Sequence, residues 1–248
     1  HPSPSAHGFD VTDYYAVNPQ YGTLDDFRRL VGEAHRRGIR VIIDLVINHT
    51  SNQHPWFIES CNPASSFRDW YIWSDTDPGY AGSWGQQVWF PYNNDYYYST
   101  FSAYSPDLNH NNPEVLAEVQ NVIRFWLEDV GVDGFRLDAI GTIFEHPDFP
   151  DHPVKISRVE LQHEWERAET EERKAELMTL WEAMEQHQVE QPGMHDLMQA
   201  LRSVIDEYSD RMLIGEDEDL TYHGNGSNEL HMVFNFPLMK TERLTPGW

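Results

Sequence analysis

Residues 134–140 read Gly-Phe-Arg-Leu-Asp-Ala-Ile. The turn pair Asp133-Gly134 introduces the apolar residues, so this segment is predicted to be a short buried strand carrying one arginine and one carboxylate. Arg136 and Asp138 are two residues apart and therefore project from the same side of a strand. A cation held beside a carboxylate keeps that carboxylate ionised, which suits a carboxylate nucleophile. A structural ion pair is the alternative interpretation of this segment taken alone.

Two further apolar segments carry an acid or a histidine in or just after the predicted strand. Residues 40–49 form a nearly continuous apolar run, which is typical of a parallel strand covered on both faces, with Asp44 inside it and His49 at its end. Residues 211–217 form a shorter apolar run, and Glu216 follows it. Sites in α/β sheets collect at the carboxyl ends of the strands, so three such strands together favour a functional site.

The composition limits the class of partner. A formal net charge of −24 over 248 residues argues against binding to a nucleic-acid backbone or an anionic membrane surface, whereas a neutral sugar meets no such repulsion. No apolar run approaches the roughly 20 residues of a membrane span. Cys61 is the only cysteine, which excludes an intrachain disulfide and a cysteine-based metal cluster. We expect a cytoplasmic protein, with a secreted protein as the alternative.

The order of predicted elements indicates repeated αβ units around a parallel sheet. About four parallel strands are visible, whereas a complete eight-stranded barrel takes roughly 250 residues without large insertions. We therefore divide the chain into a barrel part over 1–49, an inserted aromatic-rich domain over 50–110, and a second barrel part over 111–248. The second barrel part contains a predicted helical insertion at about 150–192, whose many glutamates are interpreted as a solvated face.

Four motifs occur in an order that resembles one enzyme family. Residues 44–49, 134–140 and 214–217 are similar to the first three signatures of the α-amylase superfamily, glycoside hydrolase family 13. Ser105–Asn109 resembles a further signature near the end of that family's inserted B domain. The resemblance covers about residues 8–239. It implies an incomplete (β/α)8 TIM barrel with an inserted B domain, and within the family it points to the oligo-α-glucosidase and trehalose synthase branch.

The resemblance implies a role for each matching residue. Asp138 would be the nucleophile that forms a covalent glycosyl-enzyme, and Glu216 would be the general acid and then the base. Such a retaining mechanism places the two carboxyl groups roughly 5–5.5 Å apart. Arg136 would keep Asp138 ionised and contact the sugar, His49 would bond to a sugar hydroxyl, and Asp44 would belong to the hydrogen-bonding frame of the same subsite.

The resemblance also implies a calcium site. Asn48 and Asp107 match positions that often bind calcium in the family, and Glu145 is a candidate further ligand. Oxygen-only ligands suit Ca²⁺. The alternative for Asn48 is an amide that caps or stabilises a turn. No organic cofactor is expected.

The sequence departs from the family pattern at two places. The family has an aspartate and a tyrosine where this chain has Ala6 and Phe9, and Phe9 can stack on a sugar but carries no hydroxyl. The fourth signature, a His-Asp pair with a third essential carboxylate, is not found in this chain, because His231 and Asp219 do not fit that position. Ala139 occupies a position that varies with linkage preference in these enzymes.

Three functions follow as hypotheses. The first is a retaining α-glucosidase-type hydrolase acting on α-glucosidic bonds of maltose-like oligosaccharides. The second is a trehalose synthase-like enzyme that transfers or isomerises a glucosyl unit and has to keep water from the covalent intermediate. The third is a carbohydrate-binding or scaffold piece without catalytic activity. A calcium-dependent interaction domain without sugar affinity is a separate, further possibility. The first two share one partner, an α-linked glucose disaccharide or oligosaccharide.

Overall fold

The structure is a computed structural model that describes residues 1–189, 191–217 and 219–234. In chain order, its helices and strands are α1 (Leu24–His35), β1 (Ile42–Leu45), α2 (Pro55–Ser60), β2 (Trp73–Ser74), β3 (Trp89–Tyr92), β4 (Asp95–Tyr98), α3 (Pro113–Phe125), β5 (Gly134–Leu137), α4 (Arg158–Arg167), α5 (Glu171–Glu185), α6 (Met194–Ile205), β6 (Met212–Gly215) and β7 (Met232–Val233). The last part of the strand predicted over 230–236 lies outside the described residues.

The chain divides into two compact units. The first unit comprises residues 1–14, 48–116 and 141–194, and the second comprises 15–47, 117–140 and the described part of 195–248. The domain limits expected from the sequence stay a prediction.

The second unit contains the predicted parallel sheet. Its strands lie in the order β1-β5-β6-β7, and every neighbouring pair is parallel. Leu45 and Leu137 are paired and fully buried on one face, whereas Asp44, Arg136 and Ile214 share the other face. The fold prediction is therefore confirmed as a partial parallel sheet consistent with an incomplete barrel.

Gly134 allows β5 and β6 to approach each other. Its backbone φ is +153°, and a Cβ atom built there would lie 2.0 Å from the carbonyl oxygen of Met212. Only glycine avoids that collision, because it has no side chain. The turn pair found in the sequence thus sets the start of the central strand.

The helices of the second unit follow sequence signals. Thr23 and Asp26 form the predicted capping box at the start of α1, with hydrogen bonds in both directions between side chain and backbone. α3 continues into a π-helical turn over Trp126–Val130, and Gly131 closes it with a φ of +87°. In the described part of the chain, no helix has the length and apolar composition needed to cross a membrane.

The first unit contains a small antiparallel sheet in the order β2-β4-β3. Its aromatic side chains form two packed clusters rather than one open wall. The first cluster is built on Phe57, Trp70, Tyr71 and Tyr97, and the second on Trp89 and Tyr98. The expectation that most of the aromatics are core is therefore confirmed.

The helical insertion is a hairpin, as predicted. α4 and α5 pack against each other around the buried residues Leu161, Leu177 and Met184. Ser157 caps α4, and Thr170 caps α5. We call residues 157–188 the helical hairpin.

Candidate active site

An arginine on an inner strand of the parallel sheet holds three carboxylates. The guanidinium of Arg136 contacts Asp44 at 2.7 Å, Asp138 at 2.8 Å and Glu216 at 2.6 Å. The side chains of Arg136 and Asp138 are only 19% and 13% exposed, so their attraction is screened less than that of a surface pair. The structure thus brings four of the predicted site residues into one cluster, which we call the Arg136 cluster.

Strand register explains why these residues meet. Asp44 and Arg136 are direct partners in the β1–β5 pairing, and partners in register project from the same face of a sheet. Asp138 follows β5 on that face, two residues after Arg136. Glu216 follows β6, and its backbone N–H donates to the carbonyl of Leu137 at 2.9 Å. Three neighbouring parallel strands therefore deliver one cation and three acids to a single point.

The environment of Asp138 favours its protonated form more than water does. Burial is the main cause that raises the pKa of Asp138 to about 6, and a hydrogen bond and negative charge from Glu216 add to it. The Arg136 guanidinium acts in the opposite direction. The pKa of Asp138 therefore depends on Glu216 as well as on Arg136.

Ala139 supplies a backbone donor to this pair. Its N–H donates to Glu216 Oε2 at 3.3 Å, and its φ of +45° lies in the left-handed region that residues with a Cβ rarely adopt. Strain of this kind persists only where the surroundings enforce it. Nothing in the sequence signals this role, because alanine is not a residue typical of positive φ.

His49 and Phe9 lie together in the first unit. His49 is 4% exposed, and its ring bonds to the backbone carbonyl of Phe9 and lies 2.9 Å from the amide oxygen of Asn48. Burial lowers the pKa of His49 to about 4, so the imidazole is neutral near pH 7. The ring of Phe9 stacks on His7 with centroids 5.9 Å apart.

Phe101 was missed by the sequence reasoning. Its ring meets the His49 ring edge to face at a centroid distance of 5.3 Å, and it is 38% exposed. It follows β4 in a stretch without periodicity, and only the general richness in aromatics pointed to this region. Phe101 therefore adds an accessible aromatic surface beside a predicted sugar-binding residue.

The predicted calcium ligands form two hydrogen-bonded groups. The amide nitrogen of Asn48 donates to the carbonyl of Thr142 at 2.5 Å, and its oxygen faces His49. Asp107 and Glu145 instead accept hydrogen bonds from the hydroxyl of Thr100. Both ends of the Asn48 amide thus face neighbouring residues at hydrogen-bond distance, which fits the alternative of an amide that stabilises the local structure.

The carboxyl groups of Asp107 and Glu145 are better candidate ligands for a cation than the amide of Asn48. Burial raises the pKa of Asp107 to about 8, and burial followed by the charge of Asp107 raises the pKa of Glu145 well above its usual range. Within the described residues, neither carboxylate forms an ion pair, and no group of three or more His, Cys, Asp or Glu side chains is arranged to hold a metal. Calcium at Asn48, Asp107 and Glu145 stays a prediction.

Comparison with known proteins identifies what the chain is similar to. The family model described as "Alpha amylase, catalytic domain" matches residues 1–246. A probable alpha-glucosidase of Rhizobium meliloti is 37% identical over 96% of this chain and 44% of its own length. The trehalose synthase/amylase TreS of Mycolicibacterium smegmatis is 37% identical over 94% of this chain and 36% of its own length.

Solved structures agree with the sequence comparison. The crystal structure of Bacillus licheniformis trehalose-6-phosphate hydrolase aligns with a TM-score of 0.79 at 30% identity, covering 98% of this chain and 42% of that one. The chain therefore spans less than half the length of these relatives.

Proposed function

Because this chain belongs to the α-amylase catalytic-domain family, we propose that it carries the central residues of a retaining glycoside hydrolase. The proposed substrates are maltose-like oligosaccharides with α-glucosidic bonds. The observation that supports this function is the Arg136 cluster, in which one arginine holds Asp138 beside Glu216. A neutral sugar also suits a protein with a formal net charge of −24.

In the proposed mechanism, Asp138 and Glu216 divide the work of the two steps. Glu216 gives its proton to the glycosidic oxygen while an Asp138 carboxylate oxygen bonds to the anomeric carbon, and the carbon–oxygen bond to the leaving sugar breaks. In the second step Glu216 takes a proton from water, the water oxygen bonds to the anomeric carbon, and the bond to Asp138 breaks. Asp138 is regenerated as a carboxylate and Glu216 as an acid.

The position of Arg136 prepares Asp138 for attack on the sugar. Arg136 contacts both groups and favours ionisation of Asp138. A retaining reaction needs roughly 5–5.5 Å between the carboxyl groups, so a bound sugar has to break their mutual hydrogen bond.

A glucosyl transferase is the second candidate function. A relative named trehalose synthase/amylase is as similar to this chain as the relative named probable alpha-glucosidase, at 37% identity each. Both activities use the same covalent intermediate and differ in whether water or a sugar hydroxyl attacks it. Incubation with maltose separates them: glucose as the sole product supports hydrolysis, and trehalose supports transfer.

The direct test of the function compares the protein, in the full length that its gene encodes, with Asp138→Asn on p-nitrophenyl α-glucoside. We expect turnover by the parent and a loss of at least about 10³-fold in the variant, since a nucleophile cannot be replaced by an amide. The control is Asp148→Asn, which changes an exposed carboxylate and should keep activity. Sugar binding without turnover in the parent would instead support the non-catalytic carbohydrate-binding hypothesis. Cell fractionation tests the expected cytoplasmic location.

A further inference from the structure

A cavity in the first unit is lined by side chains that the proposed chemistry does not use. Its volume is ≈ 310 Å³. Small-molecule sites in proteins measure roughly 300–1,000 Å³, so this cavity suits a small ligand. Every residue that lines it belongs to the first unit, and none belongs to the Arg136 cluster.

The polar part of the lining is held in place by its own backbone. Asp69 and Asn111 line the cavity, and both are exposed. The side-chain nitrogen of Asn109 donates to the backbone carbonyl of Asp69 at 2.9 Å, and its side-chain oxygen accepts from the backbone N–H of Asn111 at 3.2 Å. The side chain of Asn112 donates to the same Asp69 carbonyl at 3.2 Å. Because these bonds use backbone groups of Asp69 and Asn111, the carboxylate and the amide remain available to a ligand.

Aromatic side chains form much of the other lining. Phe144 and Phe149 contribute apolar surface, and the Phe149 ring is fixed by an edge contact with Trp89 at a centroid distance of 5.4 Å. Trp73 also lines the cavity, and in the part of the chain that the structure describes its buried indole N–H has no hydrogen-bond acceptor. Buried donors nearly always have an acceptor, so an oxygen-rich ligand would supply one that the described residues lack.

The charges of the lining decide between classes of ligand. The described residues around the cavity include the acids Asp69 and Glu145 but no lysine or arginine, so an anionic ligand would be repelled. No group of three or more His, Cys, Asp or Glu side chains among the described residues is arranged to hold a metal ion. A neutral ligand rich in hydroxyl groups meets neither objection, because a carboxylate accepts hydrogen bonds and an amide both donates and accepts them.

We propose that this cavity is a second sugar-binding site, which takes one neutral hexose unit. Asp69 and Asn111 bind the hydroxyl groups of the sugar, and its C–H face packs against the apolar surface of Phe144 and Phe149. The choice of glucose as the hexose rests on the proposed function, whereas the site itself does not.

The test measures glucose binding to the full-length protein by saturation-transfer NMR while the proposed catalytic site is blocked. A fluorinated glucosyl fluoride blocks that site by forming a slowly released covalent bond to Asp138, and excess reagent is removed. We expect the blocked protein still to bind glucose. Asp69→Ala and Asn111→Ala should each raise the Kd about tenfold, the effect of losing a hydrogen-bonding group. Both substitutions keep the backbone groups that Asn109 binds, so the fold should be preserved.

Two controls accompany this measurement. Asp75→Ala changes an exposed acid of the same unit that does not line the cavity, and it should leave the Kd for glucose unchanged. Glucose 6-phosphate should bind at least about tenfold more weakly than glucose, because its charge is repelled by Asp69.

Loss of all glucose binding when Asp138 is blocked, or a Kd that neither Asp69→Ala nor Asn111→Ala changes, would overturn the inference. Tighter binding of glucose 6-phosphate than of glucose would also overturn it, as would calcium binding that needs Asp69 in a protein that binds no glucose. If the reagent left Asp138 unlabelled, the proposed function would fail. Glucose binding that depends on Asp69 and Asn111 would then still support the second site.

Discussion

Arg136 is the residue on which the proposed chemistry depends most, because it contacts Asp44, Asp138 and Glu216 at once. Replacing it with methionine removes the cation and keeps much of the side-chain volume. An arginine beside an aspartate lowers the aspartate pKa by roughly 1–3 units. Since the pKa of Asp138 is about 6 with Arg136 in place, we expect about 7–9 without it.

This shift has a measurable consequence for the rate. At pH 7 a group of pKa 6 is about 90% ionised, whereas a pKa of 7 leaves about half of it ionised and a pKa of 9 leaves roughly 1%. Nucleophilic attack needs the ionised form, so the acid limb of kcat/KM for p-nitrophenyl α-glucoside should move to higher pH by about 1–3 units in Arg136→Met. Arg136→Lys keeps the charge but not the forked geometry, and its limb should move less.

The measurement is a profile of kcat/KM between about pH 4.5 and 9.5 for the parent and both variants. Circular dichroism at each pH separates loss of ionisation from loss of fold. An acid limb that stays in place in Arg136→Met, in a folded variant, would refute the argument that Arg136 keeps Asp138 ionised.

Three other features give predictions. His54 accepts the cap hydrogen bond of α2 through its ring, and burial lowers its pKa from 6.5 to about 4, so its contribution to stability is present above about pH 6.5 and is lost as the pH falls towards 4. Between pH 7 and pH 4.5, the free energy of unfolding in urea should fall by up to about 3 kcal/mol more in the parent than in His54→Asn. Equal decreases in the two proteins would contradict this. Gly134→Ala should abolish folding or cost more than about 4 kcal/mol because of the collision with Met212, whereas Gly226→Ala, in open space, should cost about 1 kcal/mol. If calcium binds as predicted, chelation should lower the melting temperature of the parent and leave Asp107→Asn unaffected; a parent insensitive to chelators would argue against the site.

Sequence patterns were sufficient for the parallel sheet. The apolar runs around Asp44, Arg136 and Glu216 have the strand-ending acids that α/β sheets place at one edge, and the structure sets their strands side by side. The helix at Thr23 was readable from its capping box, because that signal depends on two local residues. Local chemistry and strand periodicity thus explain most of the second unit.

The structure of the inserted region was harder to predict from the sequence. β2, β3 and β4 are two to four residues long, and such short strands show no alternation to detect. Their positions depend on the packing of rings such as Phe57 and Tyr97, which are distant in sequence. The left-handed backbone of Ala139 was equally hidden, since it is imposed by its surroundings and not by alanine itself.

The sequence predicted which residues belong to the site better than it predicted how they contact each other. Spacing placed Arg136 beside Asp138, but the contact of Arg136 with Glu216 needed the β5–β6 register. The hydrogen bond from the Asn48 amide to Thr142 could not be seen in the sequence, because it joins residues 94 positions apart.

The central claim is that Asp138 forms a covalent bond to glucose. The most direct measurement treats the full-length protein with a fluorinated glucosyl fluoride that slows release of the sugar, followed by digestion and mass spectrometry. We expect one added fluoroglucosyl group on the peptide containing Asp138, and no label in Asp138→Asn. A label on another residue, or rapid turnover of the reagent with no covalent adduct at any time, would contradict it.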